Sequence, residues 1–319
     1  MPNITGPTRS SSAVSVEPTD IWYWIIRGII AVLTITGNGL VIYFITFKRR
    51  LRVTNNWFVL SLAIADFSVG LFTTPSGLAC TFQFQCDQRV QLAFYNFLVF
   101  ASNLNLWGMA IDRYIAIVHS LRYSSLMTTT RVILIIAMSW SISFLATFVR
   151  LLWLYDSHLR EVIEKHYILS TDIFFGVFSC VVLLTVYARI LCISRQINRQ
   201  SAAQVNQVIY NHALSVSARR AQRNSSARVL GCMVLLFIVC YSLGIYVSFC
   251  KNFKLCSINS LVASLSLLLV HCNCAVNFVV YAFLKSDIRM ELMNLCRFGR
   301  TRQFSTASHS EFPLSQLAN

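Results

Sequence analysis

Three ionisable side chains stand in runs that are otherwise almost wholly apolar: Asp66 in LSLAIADF, and Asp112 beside Arg113 in GMAIDRYIAIVH. A carboxylate in such a setting either takes up a proton or finds a cation and hydrogen bonds. Asp66 therefore reads as a cation site or as a neutral acid bonded to its neighbours. The Asp112–Arg113 pair can be an anchor, or a switch in which Arg113 is held by Asp112 in one state and released in another. Ser102, Asn103 and Asn105 add polar groups to the run that ends in Asp112, and Asn273 and Asn277 lie in a later one. Cys272 and Cys274 in HCNC suggest a metal, but two helical positions apart they diverge and no closed ligand set completes the site. No catalytic constellation emerges, so the chain reads as a non-enzyme.

The elements that must position these groups follow from composition. Of 319 residues, 56% are hydrophobic and 12% charged, about half the charge of a soluble domain. About 20 apolar residues cross roughly 30 Å of hydrocarbon as a helix, and seven stretches qualify: 22–47, 56–80, 90–117, 132–153, 167–193, 228–249 and 258–284. The expected fold is an all-α membrane protein, a seven-transmembrane helix bundle. Residues 1–21 read as an extracellular tail without a cleaved signal, 22–284 as the bundle, 285–297 as a short amphipathic eighth helix on the inner leaflet, and 298–319 as a disordered cytoplasmic tail. The formal charge of +15 comes mainly from lysines and arginines in the first, third and fifth connections and the C-terminal tail. That asymmetry favours an outside N-terminus and a cytoplasmic C-terminus, and it makes nucleic acid unnecessary as a partner. Asn3 opens an N-x-T sequon on the outside, which agrees.

With seven spans in place, the motifs resemble the rhodopsin-like (class A) G-protein-coupled receptors over nearly the whole chain, nearest in feel to the amine, adenosine and melatonin branch. They run in order: Gly37-Asn38, LAIAD ending in Asp66, DRY at Asp112-Arg113-Tyr114, Trp140, Tyr187, FIVCYSL, and NFVVY from Asn277 to Tyr281. The resemblance implies an extracellular small ligand and a heterotrimeric G protein received by an opened inner cavity. On opening, Arg113 would leave Asp112 and turn toward Tyr187 and Tyr281. It also implies an allosteric sodium ion held by Asp66, Ser102, Asn273 and Asn277, whose oxygens suit a hard cation, and a plasma-membrane location. No other cofactor is implied.

Departures from the family pattern are large. Prolines of the fifth, sixth and seventh helices are replaced by Ser179, Leu243 and Phe278, which predicts straighter helices and a stiffer hinge. The sixth-helix tryptophan is Tyr241. Asn103 stands at an apolar latch position and could bond Ser179. Arg223 occupies the place of an acid that locks Arg113, which predicts elevated basal signalling. The family disulfide from the third helix to the second outer loop lacks its loop cysteine, since 156–166 holds none. Cys80 with Cys86, and Cys250 with Cys256, are the outer-side pairs within reach. The acid that anchors amines in the third helix is Tyr95, so a monoamine is not expected. Asp172, Arg150, His271, Tyr241 and Tyr95 are the candidate pocket residues, suited to an anionic or mixed ligand.

AFLKSDIRMELMNLC resembles the family's inner-leaflet helix, with Lys285, Arg289 and Arg297 for anionic lipid and Cys296 for palmitoylation. Ser305, Thr306, Ser308 and Ser310 are candidate phosphosites, which points to receptor kinases and arrestin. Two other readings compete. One is a signalling-poor receptor acting as a binding or dimer partner, suggested by the missing prolines. The other is a polytopic transporter, for which repeats and broken helices would be expected.

Overall fold

The computed structural model describes residues 20–82, 86–205, 210–285 and 287–295, with the backbone alone for 55, 120, 198, 201–205, 210–227, 283 and 284. Asn3, Cys296 and the tail serines fall outside the described residues, and of Arg223 the side chain does.

The described chain is an all-helical bundle. In hydrocarbon every backbone N–H and C=O must be satisfied within the segment, which leaves the helix as the spanning form for a chain patterned this way. The spans are α1 (Ile21–Phe47), α2 (Trp57–Thr81), α3 (Gln88–Val118), α4 (Thr129–Leu154), α5 (157–205), α6 (Tyr210–Phe253) and α7 (Ser260–Leu284). Residues 287–295 form a further helix, α8. Outer and inner below follow the orientation that the basic residues favour.

By length and composition, six of these helices can cross a membrane. The remaining one, α3, is 31 residues long, but its polar side chains lower its hydropathy. They are tolerated because α3 runs through the middle of the bundle, packed against α2, α4, α5 and α6. Ser102, Asn103, Asn105 and Asp112 are all buried there. Intramembrane polar groups face protein or a water-filled cavity for this reason. The apolar residues on the outward faces, Ile29, Val32 and Leu33 on α1 and Met138 and Leu145 on α4 among them, are exposed as lipid-facing positions would be.

Side-chain caps begin several helices, each accepting from backbone N–H groups that lack an intrahelical partner. Asp87 caps α3 through Arg89 N, Asp156 caps α5 through His158 N and Leu159 N, and Asn259 caps α7 through Leu261 N. The Asp156 cap matters most for the fold. It starts α5 ten residues before the expected span, so the segment 157–166, expected as loop, is the outer end of the fifth helix.

The proline-free helices are not simply straighter. A π-helical stretch, Asp172–Phe178, widens α5 immediately before Ser179; a second, Val69–Thr73, lies in α2, which keeps its proline at Pro75. In α5 the wide turn supplies the irregularity that proline gives the family. In α7 the side chain replacing proline has a packing role. The ring of Phe278 lies directly over Gly37, where a Cβ would stand 2.5 Å from the ring.

The two outer disulfides join Cys80 to Cys86 and Cys250 to Cys256, with Cα–Cα separations of 5.4 Å in each.

Candidate functional site

Asp112 and Arg113 sit in the last two turns of α3, at the inner end. Arg113 Nη2 lies 3.0 Å from Asp112 Oδ2. The other carboxylate oxygen accepts from the Tyr123 hydroxyl at 2.8 Å. Tyr123 stands on the one-turn helix Tyr123–Leu126 that follows α3, and the sequence reading missed it. Its signal was a tyrosine one loop after DRY. Beside the carboxylate and partly buried, that phenol is pushed above its ordinary value, so it stays a donor.

Tyr187 and Tyr281 face the same region. Tyr281 is fully buried. The Tyr187 hydroxyl of α5 lies against Gly231 of α6, in space that any Cβ there would occupy. The helices expected to separate on opening are thus closely seated here. Tyr114 is partly buried against the same apolar core.

Lys285, just past the end of α7, reaches back to the start of α2, where its Nζ donates to Asn56 Oδ1 at 2.5 Å. Asn56 is itself buried and donates to the Leu51 carbonyl at 2.8 Å. The charges of Arg113, Asp112 and Asp287 act on Lys285, and burial together with Arg113 lowers its pKa to about 7.

Halfway along the bundle, Asp66 is fully buried. Ser102 Oγ donates to its Oδ1 at 2.7 Å and Asn277 Nδ2 to its Oδ2 at 2.8 Å. The Cys274 thiol is a third partner, which sequence reasoning missed. Asn273 is buried close by, but no hydrogen bond between it and Asp66 appears among those of the described residues. Three of the four expected residues, Asp66, Ser102 and Asn277, therefore converge; the carboxylate and hydroxyl oxygens suit a small cation, while Asn277 turns its amide nitrogen to the acid.

The outer candidates divide into separate groups. Tyr95 and His271 stack, with ring centroids 5.2 Å apart and planes at 19°. Tyr241 stacks on Phe237 at 4.3 Å. Arg150 is ion-paired with Glu164, whose other oxygen accepts from Trp153 Nε1 at 3.1 Å. Asp172 accepts from Ser248 on α6. Arg150 and Asp172 are thus engaged with their own neighbours. The bond from Asn103 to Ser179 that the sequence suggested does not form. Asn103 Nδ2 donates to the Phe175 carbonyl at 2.5 Å, and Ser179 Oγ donates to the Phe174 carbonyl at 3.2 Å. The wide turn exposes carbonyls that an α-helix would occupy, and the amide is drawn to the backbone.

A residue not singled out from sequence is Arg27, seven residues into α1 and fully buried. It donates to the Tyr23 hydroxyl and to the Thr73 carbonyl, both at 3.0 Å, and lies 4.9 Å from the Trp24 ring centroid. Its signal was Tyr23 and Trp24, four and three positions earlier on the same face.

Comparison with known proteins agrees with this arrangement. Residues 37–281 match the sequence profile "7 transmembrane receptor (rhodopsin family)". The human histamine H2 receptor is 25% identical, over 98% of this chain and 89% of that receptor. Adenosine receptor A2a of human is 29% identical, over 86% of this chain and 72% of that receptor. Adenosine receptor A2b of Gallus gallus is 27% identical, over 84% and 86%. With seven spans, a buried acid in the second and an Asp-Arg-Tyr closing the third, the chain belongs to the rhodopsin family of seven-transmembrane G-protein-coupled receptors.

Proposed function

We propose that this receptor binds a small extracellular ligand and activates heterotrimeric G proteins through release of Arg113 from Asp112. The observation that carries the reading is the 3.0 Å ion pair at the inner end of α3, braced by Tyr123 on the far carboxylate oxygen. The pair is largely buried, with the Asp112 side chain 1% and that of Arg113 12% exposed, and it occupies the mouth where a partner helix would enter. It is a two-state element: one state has Arg113 on Asp112 and Tyr187 over Gly231, and the other has Arg113 free to turn toward Tyr187 and Tyr281. Ligand outside and G protein inside would bias the same equilibrium, so each raises the affinity for the other. The α5 wide turn supports a receptor that still has a deformable fifth helix without its proline, which weakens the signalling-poor alternative.

Asp66, Ser102 and Asn277 are the groups that would hold a sodium ion, which would stabilise the closed arrangement. The N-terminus is outside and the C-terminus cytoplasmic in this reading, with receptor kinases and arrestin acting on the tail and α8 lying along the inner leaflet of the plasma membrane. The relatives' names mention histamine and adenosine. Tyr95 in place of an acid argues against a cationic amine here.

The test is basal and ligand-stimulated G-protein activation in cells across a panel of Gα subunits, for the wild type and Arg113→Ala at matched surface expression. A signal present in the wild type and lost in the variant supports the switch. Equal signals in both would sink it.

A further inference from the structure

The inner connection from α3 to α4 makes one helical turn, Tyr123–Leu126, and then passes through Met127 to Thr128, the cap of α4. One side of the turn is fixed to the bundle. The Tyr123 hydroxyl donates to Asp112 at 2.8 Å. Met127 is buried, and its N–H donates to the Tyr123 carbonyl at 2.8 Å. The other side faces out, with Arg122, Ser124 and Ser125 exposed. A single turn is unfavourable on its own, because it fixes several residues for one backbone bond. Its place therefore depends on the side-chain bonds that hold it.

Three of those bonds meet at the C-terminal half of the turn. Ser125 Oγ donates to the Arg122 carbonyl at 2.9 Å and closes the turn. From α4, Arg131 Nη1 donates to the Ser125 carbonyl at 3.0 Å and to the Leu126 carbonyl at 3.1 Å. A guanidinium thus stands beside an exposed serine, holding neutral oxygens. Its fork binds a phosphate more strongly than a carbonyl, and in a bidentate way. Arg122 supplies the other element, a basic side chain three residues before the hydroxyl. Kinases choose their substrates by such charge patterns around the acceptor.

We propose that Ser125 is a regulatory phosphorylation site for a basophilic Ser/Thr kinase, and that its phosphate withdraws the Tyr123 brace from Asp112. The serine oxygen takes the γ-phosphoryl group of ATP: the Oγ–P bond forms as the bond to ADP breaks, and the hydroxyl proton is released. The ester oxygen then has no proton for the Arg122 carbonyl. The phosphate carries a charge of about −1.5 to −2 at neutral pH, and it draws Arg131 off the carbonyls of Ser125 and Leu126. With those contacts gone the turn re-seats toward α4 and Tyr123 leaves the carboxylate. Asp112 is no longer held from its far side, Arg113 is released more readily, and basal activation rises. The proposal rests on the receptor reading twice: for the orientation that exposes this turn to cytosolic ATP, and for the step from Asp112 to signalling.

The full-length receptor, purified in lipid nanodiscs, is treated with ATP and the catalytic subunit of cyclic-AMP-dependent protein kinase. Ser125→Ala treated in the same way is the control, because it keeps every other serine. Mass spectrometry should find phosphate on Ser125, and about tenfold less in Arg122→Gln, the loss of one charged contact to the kinase. Against the control, amide exchange across 121–127 should quicken and basal nucleotide exchange on Gα should rise. In Tyr123→Phe the brace is already gone, so phosphorylation should add nothing to basal activation. No phosphate on Ser125, amide exchange that stays at the control rate, or basal activation that fails to rise where Arg113→Ala abolishes it would each overturn the proposal. Phosphate with quickened amide exchange, alongside equal signals from the wild type and Arg113→Ala, would uphold the site and remove the switch.

Discussion

The hydroxyl of Tyr155 donates to Asp87 Oδ2 at 2.7 Å, and this bond ties the segment before α5 to the cap of α3, where the family places a disulfide. Arg89 strengthens the clasp: its Nη1 donates to the Leu154 carbonyl at 3.3 Å and its guanidinium lies 5.6 Å from the Tyr155 ring centroid. The Tyr155 bond, with backbone N–H groups and Arg89, holds the Asp87 carboxyl below its ordinary value. A carboxyl depressed by folding contributes stability that is present above its unfolded pKa and is lost as pH falls through the depressed value. The wild type should therefore lose unfolding midpoint on acidification below the ordinary carboxylate range. Tyr155→Phe should start lower at neutral pH and lose less. Parallel pH curves for the two proteins would show that the clasp carries no stability.

Tyr187 and Gly231 give a second prediction. Gly231→Ala puts a methyl group where the phenol now lies, and overpacking of a tight contact costs about 1–3 kcal/mol. Because the contact belongs to the closed arrangement, the substitution should raise basal G-protein activation while lowering the unfolding midpoint. Unchanged basal activity at matched expression would detach this contact from the switch.

The Asp66 site predicts a salt effect with ion specificity. Sodium chloride should raise the unfolding midpoint above that in equimolar choline chloride, by RT ln(1 + [Na+]/Kd) in free energy. Asp66→Asn keeps the shape and removes the charge, and it should make the two salts equivalent. A sodium effect of equal size in the variant would place the ion elsewhere.

Asn103 supports the wide turn of α5 directly. Asn103→Leu leaves the Phe175 carbonyl without its 2.5 Å donor, and a buried carbonyl stripped of its partner costs about 1–3 kcal/mol. The substitution should lower the midpoint and speed amide exchange around 172–179. Exchange unchanged in that stretch would mean that the turn stands without the amide.

Much of this architecture was legible in the sequence because a bilayer demands long apolar stretches, and seven of them announce the bundle. The polar residues of α3 did not hide it, since DRY fixed its inner end and its length is that of a span. The extension of α5 was not legible: residues 157–166 are charged and polar, and helical form there rests on the Asp156 cap and on continuity with the span below. The two π stretches left no compositional trace, because their residues are as apolar as the α-helical turns around them. At the inner end the motif named Asp112 and Arg113, but the brace from Tyr123 depends on how the chain turns after α3. Arg27 was not singled out at all. Only the packing of α1 on α2 shows that it is buried.

Lys285 makes the last prediction. Its bond to Asn56 holds it in a partly buried place, where burial and the nearby charge of Arg113 lower its pKa from 10.5 to about 7. Below pH 7 the amine is protonated in both folded and unfolded protein. Between about 7 and 10.5 the folded amine is neutral while the unfolded one still binds its proton, so stability rises with pH across that window. Lys285→Met removes the titrating group and should flatten the midpoint between pH 7 and 9. It should also lie above the wild type at pH 7 and below, where the ammonium is disfavoured beside Arg113, with part of that gain offset by the lost bond to Asn56. Asn56→Leu separates the two effects: the bond is gone but the lysine still titrates, so the slope should persist at a lower midpoint. Identical slopes in the wild type and Lys285→Met would show that the lysine is charged throughout, and that Arg113 and Lys285 share the inner mouth without strain.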